Sequence, residues 1–140
     1  GALITFGAAS DLFQPGQHGS TFGGNPLATA AGNAVLGEIV RAGLIVDAWR
    51  IGAKLHAIVE AIDSPLISEV RGQGALLGLG LTQPVAGALS AAAFANGLII
   101  NAPNDASIRI APPLIIGDAE FEEFRDKFTR ALQTITSDAK

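Results

Sequence analysis

The ten residues QHGSTFGGNP, numbered 17–26, decide how the rest of this chain is interpreted. They combine three glycines and a histidine with the hydroxyl side chains of Ser20 and Thr21, and they end in Asn25-Pro26. Glycine allows the backbone to approach a ligand closely, and hydroxyl groups donate hydrogen bonds. The stretch therefore indicates a phosphate-binding loop, with a plain glycine-rich connection as the alternative. Asn25 and Pro26 start a helix in either case.

The glycine spacing excludes the two best-known nucleotide loops. No Gly-Lys-Ser/Thr follows, as the P-loop requires, and Gly19, Gly23 and Gly24 do not have the spacing of the dinucleotide-binding fingerprint. A phosphate bound here would have to belong to another kind of ligand.

Composition limits the other possibilities. The chain has 140 residues, of which 49% are apolar, with 13 acidic against 9 basic side chains. The acidic balance argues against nucleic acid as a partner. Without cysteine, and with His18 and His56 far apart, we expect no metal site. No apolar stretch reaches about 20 residues and no leader pattern is visible, so we expect a cytoplasmic protein that makes no membrane contact.

Hydrophobic periodicity predicts an α/β fold, with a small, mostly antiparallel sheet and helices packed on it. A helical turn is expected over 11–13, and Phe121, Phe124, Phe128, Leu132 and Ile135 should form one apolar stripe on the last helix. The predicted helices cover 27–41, 47–62 and 84–96, with another beginning at Asp118, and the predicted strands cover 2–6, 66–70, 75–81, 98–101 and 107–110.

Three segments, in order, resemble class III aminotransferases, which use pyridoxal 5'-phosphate. These segments are HGSTFGGNP at 18–26, VRGQG at 70–74 and IRIAPPL at 108–114. The resemblance is closest to acetylornithine and ornithine aminotransferases. It implies that residues 1–24 end the large cofactor-binding domain and that 25–140 form the connecting helix and the C-terminal small domain of a fold-type I enzyme.

The resemblance also implies roles for particular residues. Thr21, and less directly Ser20, would donate to the cofactor phosphate across the interface of a homodimer. Arg109 would bind the substrate carboxylate, because a guanidinium group can grip a carboxylate with two parallel hydrogen bonds. On chemistry alone, an ion pair between Arg109 and a carboxylate at the end of a strand is the simpler interpretation.

No lysine precedes His18, although the family's cofactor-bearing lysine lies upstream of this motif. Lys54, Lys127 and Lys140 are predicted to be solvated surface charges, with Lys54 as the alternative for the cofactor lysine. We therefore expect a C-terminal portion that contains no catalytic residue and is inactive alone. The whole enzyme would transfer an amino group between N-acetylornithine, or ornithine, and 2-oxoglutarate in arginine biosynthesis.

Two alternatives remain open from the sequence. A different family member would act on 4-aminobutyrate or succinyl-diaminopimelate. A protein of another class would be a stand-alone α/β module, regulatory or ligand-binding, that takes a small carboxylate through Arg109.

Overall fold

A computed structural model of the protein describes residues 3–14, 16–17 and 19–138. Of residue 138 it describes only the backbone. His18 and Lys140 lie outside the described residues. The chain separates into two compact units, Gly1–Ala42 and Gly43–Lys140, and each is described by itself. The domain division predicted between residues 24 and 25 stays a prediction.

The first unit contains a short 3-10 helix, Gly7–Asp11, and the helix α1, Pro26–Arg41. The start of α1 is as predicted, because the Asn25 side chain accepts a hydrogen bond from the backbone N–H of Ala28 at 2.9 Å. The strand predicted over 2–6 is wrong for the described residues 3–6, since this part of the chain offers no second strand to pair with. The helical turn also lies earlier than the predicted 11–13.

The second unit is a two-layer α/β structure that confirms the predicted order of elements. Its four strands form one antiparallel sheet in the order β1-β2-β4-β3. In chain order the elements are α2 (Leu44–Ile62), β1 (Ile67–Gln73), β2 (Leu76–Leu81), α3 (Ala86–Ala95), β3 (Asn101–Asn104), β4 (Ser107–Ile110) and α4 (Asp118–Asp138).

One face of the sheet, called the inner face, carries the core. Alternate residues of β2 point into it, and α2 and α3 pack on it while α4 packs against both helices. The predicted stripe on α4 is confirmed, because its first four members are buried and Ile135 is partly buried. The strand residues in the core are Leu77, Leu79, Leu81, Ile108 and Ile110.

The predicted strand at 98–101 is displaced by three residues. Leu98 donates its N–H to Ala93 at the end of α3, and the Ile100 carbonyl accepts from the Ser90 hydroxyl. Because these backbone groups are used by α3, pairing with β4 begins only at Asn101. Leu98 and Ile100 are partly buried but Ile99 is exposed, so the hydrophobic pattern predicted burial at two of these three positions and predicted the strand pairing wrongly.

A close approach between backbones fixes α2 against the β1–β2 turn. A Cβ atom at Gly52 would stand 2.1 Å from the carbonyl oxygen of Gly74, which itself has a φ of +56°. Only glycine at position 52 permits this contact without a shift of the turn. The β1 and β2 strands are therefore held directly by the buried side of α2.

No single helix in the described part of the chain has the length and apolar character to cross a membrane. The pair of helices α1 and α2, separated by a short break, together has the length and apolar composition of one membrane span.

Candidate functional site

The loop before α1 holds the two predicted phosphate-binding hydroxyls at a turn. The Gly23 N–H donates to the Ser20 carbonyl at 3.2 Å, and the Asn25 side chain donates to the Phe22 carbonyl at 2.7 Å. Ser20 and Thr21 are exposed, and neither hydroxyl forms a hydrogen bond with any described residue. The backbone and Asn25 thus shape the turn, and both hydroxyls stay available to a ligand.

This loop fits a phosphate group. A Cβ at Gly23 would come within 2.9 Å of the Ser20 Oγ, and Gly24 has a φ of +72°, so both glycines suit the turn in a way that larger residues would not. Ser20 and Thr21, whose hydroxyls bond to no described residue, precede the amino end of α1 in sequence, and the dipole of a helix favours an anion at that end. His18 lies outside the described residues.

A row of four residues crosses the exposed, outer face of the sheet in the second unit. Arg71 pairs with Gly78, Gly78 with Arg109, and Arg109 with Asn101, one residue from each strand. Residues paired across antiparallel strands project from the same face. The row therefore places Arg71 and Arg109 on the same side of the sheet, with a glycine between them.

The side chain of Arg109 takes no part in the polar contacts among the described residues. It is exposed, and it forms no hydrogen bond or ion pair with any residue that the structure describes. It lines a groove of about 750 Å³, a size suited to a small ligand. The ion pair that the sequence left open for Arg109 is therefore not found among the described carboxylates.

Arg71, the arginine of the VRGQG segment, is held by one residue of β1 and one of β4. Its guanidinium group pairs with the Glu69 carboxylate and donates to the Ser107 hydroxyl at 3.1 Å. A Cβ at Gly78 would contact the Arg71 side chain at 3.4 Å, so that side chain lies flat over β2. The signal that could have revealed this arrangement is the alternation Leu-Gly-Leu-Gly-Leu over 77–81, which leaves β2 bare on its outer face.

The lysines are less solvated than predicted. Lys54 is half-buried, forms an ion pair with Asp118 and lies 4.9 Å from the centre of the Phe121 ring. Its hydrogen bond and charge hold the pKa of Asp118 below the usual value. Lys127 is only 22% exposed, pairs with Glu123 and donates to the Gly97 carbonyl. Both amines have structural partners, so neither has the features of a free nucleophile.

The two groups of predicted site residues belong to different units. Ser20 and Thr21 lie in Gly1–Ala42, and Arg109 lies in Gly43–Lys140. Each fits its predicted ligand group by itself, and their roles stay predictions.

Comparisons with known proteins agree on one family. The model for "Aminotransferase class-III" matches residues 2–132. The acetylornithine aminotransferase of Streptomyces coelicolor is 48% identical over 124 residues, which are 89% of this chain and 31% of the relative. That of Mycolicibacterium smegmatis is 42% identical over 139 residues, 99% of this chain and 36% of the relative. The chain thus spans about a third of the length of these curated relatives.

Solved structures give the same result. The acetylornithine aminotransferase of Elizabethkingia anophelis superposes with a TM-score of 0.75 at 33% identity, covering 89% of this chain and 34% of that one. The ornithine aminotransferase of Toxoplasma gondii gives a TM-score of 0.73 at 28% identity, covering 89% of this chain and 31% of that one. The predicted antiparallel sheet with packed helices is therefore confirmed as part of an aminotransferase fold.

Proposed function

Because this chain belongs to the class III aminotransferases, we propose that the complete protein transfers an amino group between N-acetylornithine, or ornithine, and 2-oxoglutarate. The observation that carries the proposal is the guanidinium group of Arg109, which is exposed on its groove and has no ion-pair partner among the described residues. Both substrates of such a reaction carry carboxylates, which arginine binds well. The names of the relatives support acetylornithine as the amino donor.

The cofactor would be pyridoxal 5'-phosphate. Class III aminotransferases use it in general, and the Toxoplasma gondii enzyme holds it at its active site, at partial occupancy. Thr21, with Ser20 beside it, would donate hydroxyl hydrogen bonds to the cofactor phosphate. When bound, the cofactor supplies an electron-withdrawing ring that makes a proton on the substrate carbon easier to remove.

The residues of this chain would bind and orient rather than react. Arg109 would fix the substrate carboxylate by two parallel hydrogen bonds, which limits the rotation of the substrate and favours reactive geometries. The glycine-lined turn at 20–24 would fix the phosphate end of the cofactor. The two contacts would hold substrate and cofactor at their charged ends.

The oligomeric state, the cellular location and the pathway are also part of the proposal. The complete protein would be a cytoplasmic homodimer in arginine biosynthesis, with Thr21 reaching the site of the neighbouring subunit. The stand-alone carboxylate-binding module is not favoured, since the family match runs over residues 2–132 and the relatives are enzymes about three times as long.

The test is an assay of the complete protein, loaded with pyridoxal 5'-phosphate. Glutamate formed from 2-oxoglutarate would be measured with N-acetylornithine, ornithine, 4-aminobutyrate or succinyl-diaminopimelate as donor. We expect the highest kcat/KM with N-acetylornithine or ornithine. A preference for either of the other donors would place the protein elsewhere in the family, and no transfer from any donor would overturn the proposal.

A further inference from the structure

The three charged residues of the sheet lie together on its outer face. Arg71 and Arg109 are the basic residues of the four strands, and Glu69 is their one acidic residue. The ion pair between Arg71 and Glu69 neutralises two of these charges and leaves the charge of Arg109 uncompensated within the sheet.

The ion pair depends on the glycines of β2, which carry no side chain on the outer face of the sheet. Glu69 pairs with Gly80, and a Cβ at Gly80 would stand 2.7 Å from the Glu69 Cγ and 3.0 Å from its Oε1. Arg71 lies over Gly78 in the same way. Both side chains of β1 thus lie across β2 and extend toward β4, where Ser107 receives the Arg71 guanidinium group.

Glu69 is consequently close enough to compete for Arg109. Its carboxylate lies above Gly80, which pairs with Ser107 on the neighbouring strand β4. Arg109 is the next outward-facing residue after Ser107, about 6.8 Å along the strand, and neighbouring strands are about 4.8 Å apart. A long arginine side chain can span that separation. Without another cation nearby, the Glu69 carboxylate would be the natural partner of Arg109.

The geometry points to Arg71 as a positioning residue for Arg109. Arg71 occupies the Glu69 carboxylate and is itself fixed by Ser107, so that Arg109 remains unpaired and open to a substrate carboxylate. It would act on substrate affinity through Arg109, although its side chain lines the same groove. The inference rests on the proposed role of Arg109 in the aminotransferase.

The test compares Arg71→Met, Glu69→Gln and the double variant in the complete protein loaded with cofactor. In Arg71→Met the freed Glu69 pairs with Arg109. We expect the KM for 2-oxoglutarate to rise about 1.5-fold to fivefold, the range of an exposed ion pair, with kcat nearly unchanged. Adding Glu69→Gln removes the competing carboxylate and should restore the KM.

The matched control is Arg125→Met. Arg125 has similar side-chain exposure, 47% against 51% for Arg71, and pairs with Glu122 on α4. It should leave the KM unchanged. Recovery in the double variant separates positioning from a merely structural role, because a loss of packing would not be repaired by a second substitution.

Two outcomes would overturn the inference. One is an Arg71→Met enzyme whose KM for 2-oxoglutarate equals that of the parent. The other is a double variant as impaired as Arg71→Met, which would make Arg71 a structural residue. If Arg109→Lys also left the KM unchanged, the proposed role of Arg109 would fail as well. A raised KM in Arg109→Lys alone would confine the failure to Arg71.

Discussion

Arg71 and Arg109 stand in the same row of the sheet on either side of Gly78, yet only Arg71 has an ion-pair partner among the described residues. The two arginines carry the same charge, but their neighbouring residues give an ion-pair partner to only one of them. Glu69 and Ser107 hold one in place, and the other extends over a groove. The register of the strands, rather than the sequence motif alone, makes this distinction.

Replacing Arg109 with lysine in the complete protein should weaken binding of the carboxylate substrates. Lysine keeps the positive charge but loses the planar pair of donors that fits a carboxylate. We expect the KM for 2-oxoglutarate to rise about tenfold to a hundredfold, the range for losing a hydrogen bond to a charged group. Steady-state kinetics gives the KM, and the cofactor dissociation constant should not move.

Arg125→Lys is the control for that change. Arg125 forms its ion pairs on the exposed side of α4, away from the sheet, and the substitution there should have no effect on KM. Equal KM values for the Arg109→Lys enzyme and its parent would remove Arg109 from the substrate site.

Replacing Thr21 with valine should weaken the binding of pyridoxal 5'-phosphate by the complete protein. Valine has nearly the shape of threonine but lacks the hydroxyl donor, which makes no hydrogen bond within the described chain. We expect the dissociation constant, measured by absorbance titration, to rise about tenfold to a hundredfold. Thr21→Ser keeps a hydroxyl and should retain most of the affinity.

Thr134→Val serves as the control, because the Thr134 hydroxyl bonds to the Arg130 carbonyl within α4. It should bind the cofactor as the parent does. A Thr21→Val protein with parental cofactor affinity would show that the phosphate is held elsewhere.

Local signals predicted the helices well, since their causes lie close together in sequence. Asn25 and Pro26 start α1, and the spacing of Phe121, Phe124 and Phe128 gives α4 its buried side. The strand predicted at 98–101 failed for a non-local reason. Leu98 and Ile100 are partly buried, but the backbone there bonds with α3 rather than with β4.

The residues of the candidate site stay a prediction. The motifs identified Ser20, Thr21 and Arg109, and the structure leaves all three exposed and free of hydrogen bonds to described residues. The Ser107 partner of Arg71 could not be predicted, because the register that places it there is set by the pairing of β1, β2 and β4. Glu69, two residues before Arg71 on β1, lies on the same face by strand alternation alone, a local signal that the sequence analysis missed. Residue spacing along one strand does not reveal which residues of the others lie opposite.

Substituting Gly52 by alanine should destabilise the second unit. The new Cβ would come within 2.1 Å of the Gly74 carbonyl oxygen and 2.7 Å of its carbon, so the β1–β2 turn would have to move. We expect the free energy of unfolding, measured by urea denaturation, to fall by about 1–3 kcal/mol. Gly87→Ala is the matched control, since a Cβ there meets nothing within 4 Å and alanine favours a helix. Destabilisation by Gly87→Ala equal to that by Gly52→Ala would contradict the close approach as the cause.

The ion pair between Lys54 and Asp118 should make stability depend on pH on the acid side. Lys54 lowers the pKa of Asp118 in the folded protein, first by a hydrogen bond and then by its charge. A carboxylate whose pKa is lowered in the folded state stabilises that state at any pH above the ordinary pKa of 3.8. This contribution is lost as the pH falls below 3.8 and passes through the lowered pKa. Asp118→Asn should therefore flatten the acid limb of a plot of unfolding free energy against pH.

Lys54→Gln provides the complementary variant, because it removes the cause of the shift and leaves the carboxylate in place. It should flatten the same limb, and the double variant should do so no further, because both changes break one interaction. The measurement is urea denaturation of the parent and the three variants from pH 7 to below 3. Acid limbs that stay parallel in all four proteins would mean that the exposed pair makes no measurable contribution to folding, as is common for ion pairs at a protein surface.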